Sequence, residues 1–104
     1  MTVEFMGINI PSDHFDYSRH GTIISKEILA ERVARYDVYA PLIARKAKPG
    51  QFVILRLTEA GERIPLTIVD HDAQRGTITL IVQAVGKSTE YLDSLPVGEK
   101  ILDV

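Results

Sequence analysis

From Gly21 onward the chain is a run of short, β-branched, alternating segments cut apart by proline and glycine turns, a spacing that few folds other than a small antiparallel one can use. Thr22 to Leu29 is rich in β-branched residues. Ala34, Tyr36 and Val38 share one face of a strand ending at Ala40-Pro41, where proline disfavours continued pairing. Pro41 to Ala47 has room for one helical turn before Lys48-Pro49-Gly50, a turn signal that feeds a strand from Gln51 to Leu57. In that strand Val53, Leu55 and Leu57 face one way, and Phe52, Ile54 and Arg56 the other. Glu59-Ala60-Gly61-Glu62 makes the next turn and Arg63 to Val69 the next strand. Asp70 to Gly76 reads as a polar hairpin connection into Thr77 to Val85, which is apolar on both faces and so expected at the centre of the sheet. Ser88 or Thr89 is expected to cap a short helix through Leu95, stopped by Leu95-Pro96-Val97-Gly98, with a last strand from Lys100 to Val104. Six short strands and one late helix predict an all-β fold: a six-stranded antiparallel Greek-key barrel, closed or nearly so.

A length of 104 residues allows one core and one domain. Residues 1–20 read differently, with turn chemistry at Pro11-Ser12-Asp13-His14 and Asp16 to Gly21. Three readings of this leader stay open: a mobile segment, an added strand, or an extension from an upstream start with Met6 as a second initiator. A net charge of −2 gives no reason to expect nucleic acid or an anionic membrane as partner. There is no apolar run near the ~20 residues of a membrane span and no signal-peptide pattern, so a cytoplasmic location is expected. The absence of cysteine excludes disulfides, a thiol nucleophile and any cysteine-ligated cluster or zinc within these residues. His14, His20 and His71 lack metal-ligand spacing and read as plain surface residues.

Chemistry concentrates in two places. Arg63-Ile64-Pro65-Leu66-Thr67-Ile68-Val69 puts a cation, a proline and a hydroxyl on one strand, and Val85-Gly86-Lys87-Ser88-Thr89 opens the helix. Arg63 and Lys87 are donors without acceptor capacity. Gly86 admits a close backbone approach, and the helix start directs its positive dipole end outward, a combination that suits a phosphate or pyrophosphate. It is not a Walker loop, because position 81 is Ile where the first glycine would stand. A structural alternative stays open for each part: Arg63 as a solvated strand-end cation, Lys87-Ser88-Thr89 as an ordinary cap, Pro65 and Leu66 as edge and core residues. The Tyr36/Tyr39 and Arg45/Lys46/Lys48 groups read as packing and a solvated turn.

Lys48-Pro49-Gly50-Gln51-Phe52-Val53, Arg63 to Ile68, Gly76 to Leu80, Val85 to Thr89 and Leu95 to Glu99 occur in an order that resembles the FAD-binding barrel of the ferredoxin–NADP reductase superfamily. The similar subgroup is the electron-transfer subunits of dihydroorotate dehydrogenase, sulfide dehydrogenase and NADH-dependent ferredoxin:NADP oxidoreductase. The resemblance covers Gly21 to Val104. It implies a strand motif of arginine, any residue, aromatic, then serine or threonine. Thr67 matches the hydroxyl that meets the flavin N5 edge. Leu66 stands at the aromatic position, and Ile64 where the arginine belongs, with Arg63 one residue early. That offset would turn Arg63 to the opposite face, unless a bulge restores it or Lys87 supplies the phosphate charge.

The resemblance therefore implies FAD, with FMN second, and no metal in this chain. Its cofactor-binding residues would be Arg63, Pro65, Leu66, Thr67, Val69, Gln83, Gly86, Lys87, Ser88 and Thr89. Gly86 to Thr89 would hold the pyrophosphate, and Val69 and Gln83 would line the ribityl side. The function implied is the flavin domain of an NAD(P)H-linked electron-transfer subunit, its partners an NAD(P)-binding domain and an iron–sulfur or flavin subunit. With neither in these residues, an isolated piece of a longer subunit, inactive alone, is expected. The alternative from another class is a cofactor-free barrel that serves as a protein-interaction module. Homo-oligomerisation through the leader or exposed strand edges is a third reading.

Overall fold

A computed structural model describes residues 2–5, 8–11, 15–48, 50–57, 61, 63–101 and 104, with side chains described from residue 15 onward. Among the described residues there are seven strands: β1 (Thr2–Phe5), β2 (Ile8–Pro11), β3 (Thr22–Ala30), β4 (Val33–Tyr39), β5 (Phe52–Arg56), β6 (Arg63–Asp72) and β7 (Thr77–Gln83). Two helices join them, α1 (Pro41–Ala44) and α2 (Lys87–Ser94). Among the described residues no helix is long and apolar enough to cross a membrane. Pro49, residues 59, 60 and 62 of the next expected turn, His14 and part of the strand expected from Lys100 to Val104 lie outside the described residues.

Strands β3 to β7 form one five-stranded sheet in the order β3-β4-β7-β6-β5, antiparallel at every step. The alternation seen in the sequence sets its inner face. Ala34, Tyr36 and Val38 of β4, Val53 and Leu55 of β5, Ile68 of β6 and Ile78, Leu80 and Val82 of β7 are buried together with Ile23, Leu92 and Ile101. Each large aliphatic side chain buried this way stabilises the fold by about 1.5–3 kcal/mol. β7 is central as expected, paired along its length with β4 and buried at four consecutive positions from Thr77 to Leu80.

Among the described residues the sheet does not close, and the expected sixth strand is reduced. Lys100 forms a single bridge to Thr22 on the outer edge of β3. Bonds from Ile23 N to Glu99 O, Gly98 N to Ile23 O and Ile101 N to Gly21 O, each 2.9 Å, hold this edge. Gly21 is where glycine is required. Its φ is +92°, and a Cβ there would stand 2.7 Å from the Ile101 carbonyl oxygen.

The connections also depart from the sequence reading. β6 runs on to Asp72, so the expected Asp70–Gly76 loop shrinks to a tight turn in which Asp72 Oδ1 accepts from Gln74 N and Arg75 N. The N-cap of α2 is Gly86, in extended conformation, two residues before Ser88 and three before Thr89, the caps expected. α1 is the single turn expected, with Pro41 at its first position, where a missing N–H costs nothing.

The leader is two things. β1 and β2 pair as a separate two-stranded sheet, Val3 opposite Ile10 and Phe5 opposite Ile8. Residues 15–20 form a clasp on the outer face of β4. Asp16 caps a 3-10 turn over Tyr17–Arg19; its Oδ1 accepts from Ser18 Oγ at 2.5 Å and from Ser18 N at 3.1 Å, and these bonds, the hydroxyl's first, hold its carboxyl below the usual range. The Tyr39 hydroxyl accepts from Asp16 N at 2.9 Å, Phe15 meets the Tyr39 ring edge-on, and Arg19 lies over that ring.

Candidate functional site

The site is set by a change of partner within β6. Residues 63–67 pair with β5: Arg63 opposite Arg56, Pro65 opposite Ile54, Thr67 opposite Phe52. From Ile68 onward β6 pairs with β7, the first pair being Ile68 with Leu80, and Val69 is an extra residue in the register. No residue of 63–67 pairs with β7. The strands therefore diverge at the bulge, as bulges commonly make them do beside sites. The first half of β6 and the end of β7 are left without each other as ladder partners.

Alternation then decides which side chains face out. Arg63, Pro65 and Thr67 are exposed, while Ile64 and Leu66 pack against the core. Arg63 thus shares the Thr67 face without any bulge between them, because the register with β5 runs unbroken from Arg56/Arg63 to Phe52/Thr67. Leu66, at the position where the resemblance implies an aromatic, points to the opposite side. Val69 and Gln83 are exposed on β6 and β7. Among the described residues neither the Thr67 hydroxyl nor the Arg63 guanidinium meets a protein partner.

The second half of the site is the start of α2. Thr89 Oγ1 accepts from Val85 N and Gly86 N, both at 3.0 Å, and donates to Gly86 O at 3.1 Å. Its single proton and both lone pairs are consumed. Thr89 therefore shapes the turn rather than offering its hydroxyl to a ligand. That leaves Lys87, Ser88 and the first-turn N–H groups; those of Lys87 and Ser88 donate to no protein group among the described residues. A Cβ on Gly86 would meet nothing within 4 Å, so the approach to this backbone is open. The opposite end of α2 is fixed. Leu92 is buried, and the Lys26 ammonium donates to the Asp93 carbonyl and to Leu95 O at 3.5 Å. A cation on the last carbonyls complements the helix dipole and leaves the positive end toward the Gly86 turn.

Several expectations need correcting or extending. His71 is not a plain surface residue: it is half-buried, and Nδ1 lies 3.1 Å from Ala44 O, tying β6 to α1. His20 is also half-buried, with Nε2 3.5 Å from Val104 O. The outward face is apolar, in line with the face that the alternation assigns to Phe52 and Ile54. Phe52 is 65% exposed and Ile54 48%, so β5 presents large apolar side chains on the Thr67 face; Ile81 of β7 and Val85 beyond it are exposed as well, 45% and 70%. The signal was in the alternation of Gln51–Leu57, whose outward positions hold a phenylalanine and an isoleucine where polar residues normally stand. Beyond Phe52 lies an open groove of about 500 Å³, lined also by Leu42, Ile43, Lys46 and Gln51.

This donor set fits a dinucleotide flavin. Free N–H groups and an unpaired lysine at an open helix start suit a pyrophosphate, and an exposed hydroxyl among apolar side chains suits the polar edge of an aromatic ring.

Comparison with known proteins agrees. Residues 20–102 match the family model of the oxidoreductase FAD-binding domain. A dihydroorotate dehydrogenase B (NAD(+)) electron transfer subunit homolog from Thermotoga maritima is 43% identical over 82 residues, covering 79% of this chain and 29% of that protein. The corresponding electron transfer subunit of Geobacillus thermodenitrificans is 30% identical over 83 residues, covering 77% and 32%. Among solved structures, a chain from work on flavin-based electron bifurcation by the NADH-dependent reduced ferredoxin–NADP oxidoreductase superposes with a TM-score of 0.79. It is 40% identical, over 81% of this chain and 30% of that one. The chain spans less than a third of the length of these relatives. With that match over four-fifths of its length, the chain belongs to the oxidoreductase FAD-binding domain family, and its cofactor is FAD.

Proposed function

We propose that this domain serves in the electron-transfer subunit of an NAD(P)H-linked oxidoreductase, with residues 21–104 as its FAD-binding unit. The observation that carries this reading is the partner switch of β6, which leaves Thr67 and Arg63 outward and without a protein partner among the described residues, in a domain that also carries open donors at the start of α2. The bound flavin supplies the redox chemistry, two-electron exchange with a nicotinamide and single-electron exchange with an iron–sulfur or flavin partner. The chain's residues bind and orient. Lys87, Ser88 and the N–H groups of the first turn hold the pyrophosphate, with Arg63 as a second cation. Gly86 keeps the approach clear, and Thr67 offers its hydroxyl to the N5 edge. Val69 and Gln83 line the ribityl side, and Pro65 and Leu66 shape the strand beneath. The nicotinamide domain and the partner subunit lie outside these 104 residues. The edge bonds of Gly98–Ile101 on β3 support a further reading, that this segment is the sixth strand closing a Greek-key barrel.

The test is FAD titration of the 104-residue chain, followed by quenching of flavin fluorescence, with NADH-dependent dye reduction measured on the same sample. Saturable binding without steady dye reduction is expected. No binding at high micromolar FAD would remove the site, and steady turnover would contradict the reading of the chain as a binding unit only.

A further inference from the structure

We propose that Phe52 is the aromatic side chain that lies against the isoalloxazine of the bound flavin, supplied from β5 because β6 has no aromatic of its own. This rests on the placement of the flavin edge at Thr67. Leu66 stands where an aromatic would be expected and is turned inward, half-buried against the core. Ile64 is likewise inward, so β6 offers only Arg63, Pro65 and Thr67 to the outer face between residues 63 and 67. Thr67 is directly opposite Phe52. Side chains at paired positions have Cβ atoms about 5 Å apart, which puts the Phe52 ring beside the Thr67 hydroxyl on the same face.

The exposure of Phe52 is the second observation. Phenylalanine ordinarily buries most of its area, yet this one is 65% exposed. Its neighbours on that face are Ile54 and Pro65, a paired position one step along the ladder. A ring, a branched aliphatic and a proline around one hydroxyl make a wall with a single polar point. A flat heteroaromatic ring with a hydrogen-bonding edge is the ligand this pattern fits. Phe52 is thus a positioning residue: it adds contact area and holds the ring plane, while Thr67 fixes the edge.

The experiment uses the 104-residue chain, which contains no tryptophan. FAD is titrated into the wild type, Phe52→Ala, Phe52→Leu and Phe52→Trp, with thermal unfolding of each as the control for folding. Direct contact with a side chain ring quenches flavin emission, and tryptophan quenches more strongly than phenylalanine. The expected result is a roughly three- to tenfold weaker affinity for the alanine variant, matching the worth of an aromatic contact. Its bound flavin should be brighter than in the wild type, the leucine variant should lie between, and the tryptophan variant should be darkest. Unchanged affinity and emission across the series, with FAD still bound, would overturn the role of Phe52 and leave the site standing. A wild type that binds no FAD would overturn both.

Discussion

The two halves of β6 belong to one strand and serve opposite ends. From Ile68 to Asp72 the strand is locked: Ile68 is 2% exposed, its N–H donates to Gln51 O at 2.6 Å, His71 reaches Ala44 O, and Asp72 closes the turn into β7. From Arg63 to Thr67 it is paired on the β5 side and not with β7, and its outward side chains, Arg63, Pro65 and Thr67, are exposed. One residue, the extra Val69, separates them. The difference teaches how one strand of this sheet divides its work: Ile68 to Asp72 anchors the fold, and Arg63 to Thr67 keeps a cation and a hydroxyl exposed.

The largest effect should come from attacking the locked half. Ile68→Ala leaves a cavity in the core and should cost about 2–5 kcal/mol of unfolding free energy in denaturant titration. Thr67→Val, one residue away, should stay within about 0.5 kcal/mol of wild type in the same assay, since the side chain is exposed and β-branched either way. Equal losses at the two positions would erase the distinction between the halves.

A smaller loss is expected at the turn that anchors the locked half. Gly76 has φ +72°, and a Cβ would come within 2.9 Å of Phe15 Cε1 and 3.0 Å of Pro41 Cβ. Gly76→Ala should therefore cost about 1–3 kcal/mol through backbone strain and displacement of Phe15. A melting temperature equal to that of wild type would show that the clasp yields freely.

The smallest effect is a pH dependence on the core side of α2. Burial, with the Asp93 carboxylate beside it, pushes the Tyr36 hydroxyl up to about 12. An unfolded tyrosine titrates near 10. Because the folded value is the higher, the stabilisation is fully present below pH 10 and is lost as pH rises from about 10 to 12. Tyr36→Phe should flatten the alkaline arm of the stability curve; an unchanged slope would place its origin elsewhere.

Much of this was legible in the sequence, because alternation and turn chemistry are local. Val53, Leu55 and Leu57 against Phe52, Ile54 and Arg56 gave the faces of β5 correctly, and Pro41 and Gly50 marked real breaks. The five strands of the sheet lie where the alternation put them. Arg63 stands one residue before the motif's arginine, and it is indeed on the face opposite Ile64, which is also the face of Thr67 four residues on. What was not legible depends on pairing between distant segments. Thr89 looked like a ligand hydroxyl, and only the fold shows that the Gly86 turn consumes it. The sixth strand was expected from Lys100 onward and is described as a bridge and three edge bonds, since part of it lies outside the described residues.

The start of α2 is the anion site on which flavin binding depends in this proposal, and reversing one charge there tests it directly. Lys87→Glu puts a carboxylate in the first turn, which the helix dipole favours, so the fold should melt at or slightly above the wild-type temperature. The same change should weaken FAD binding at least about tenfold, since a charge-assisted contact to phosphate is worth about 1.5–3 kcal/mol and becomes a repulsion. An FAD affinity equal to that of the wild type, in a variant that melts as predicted, would contradict the claim.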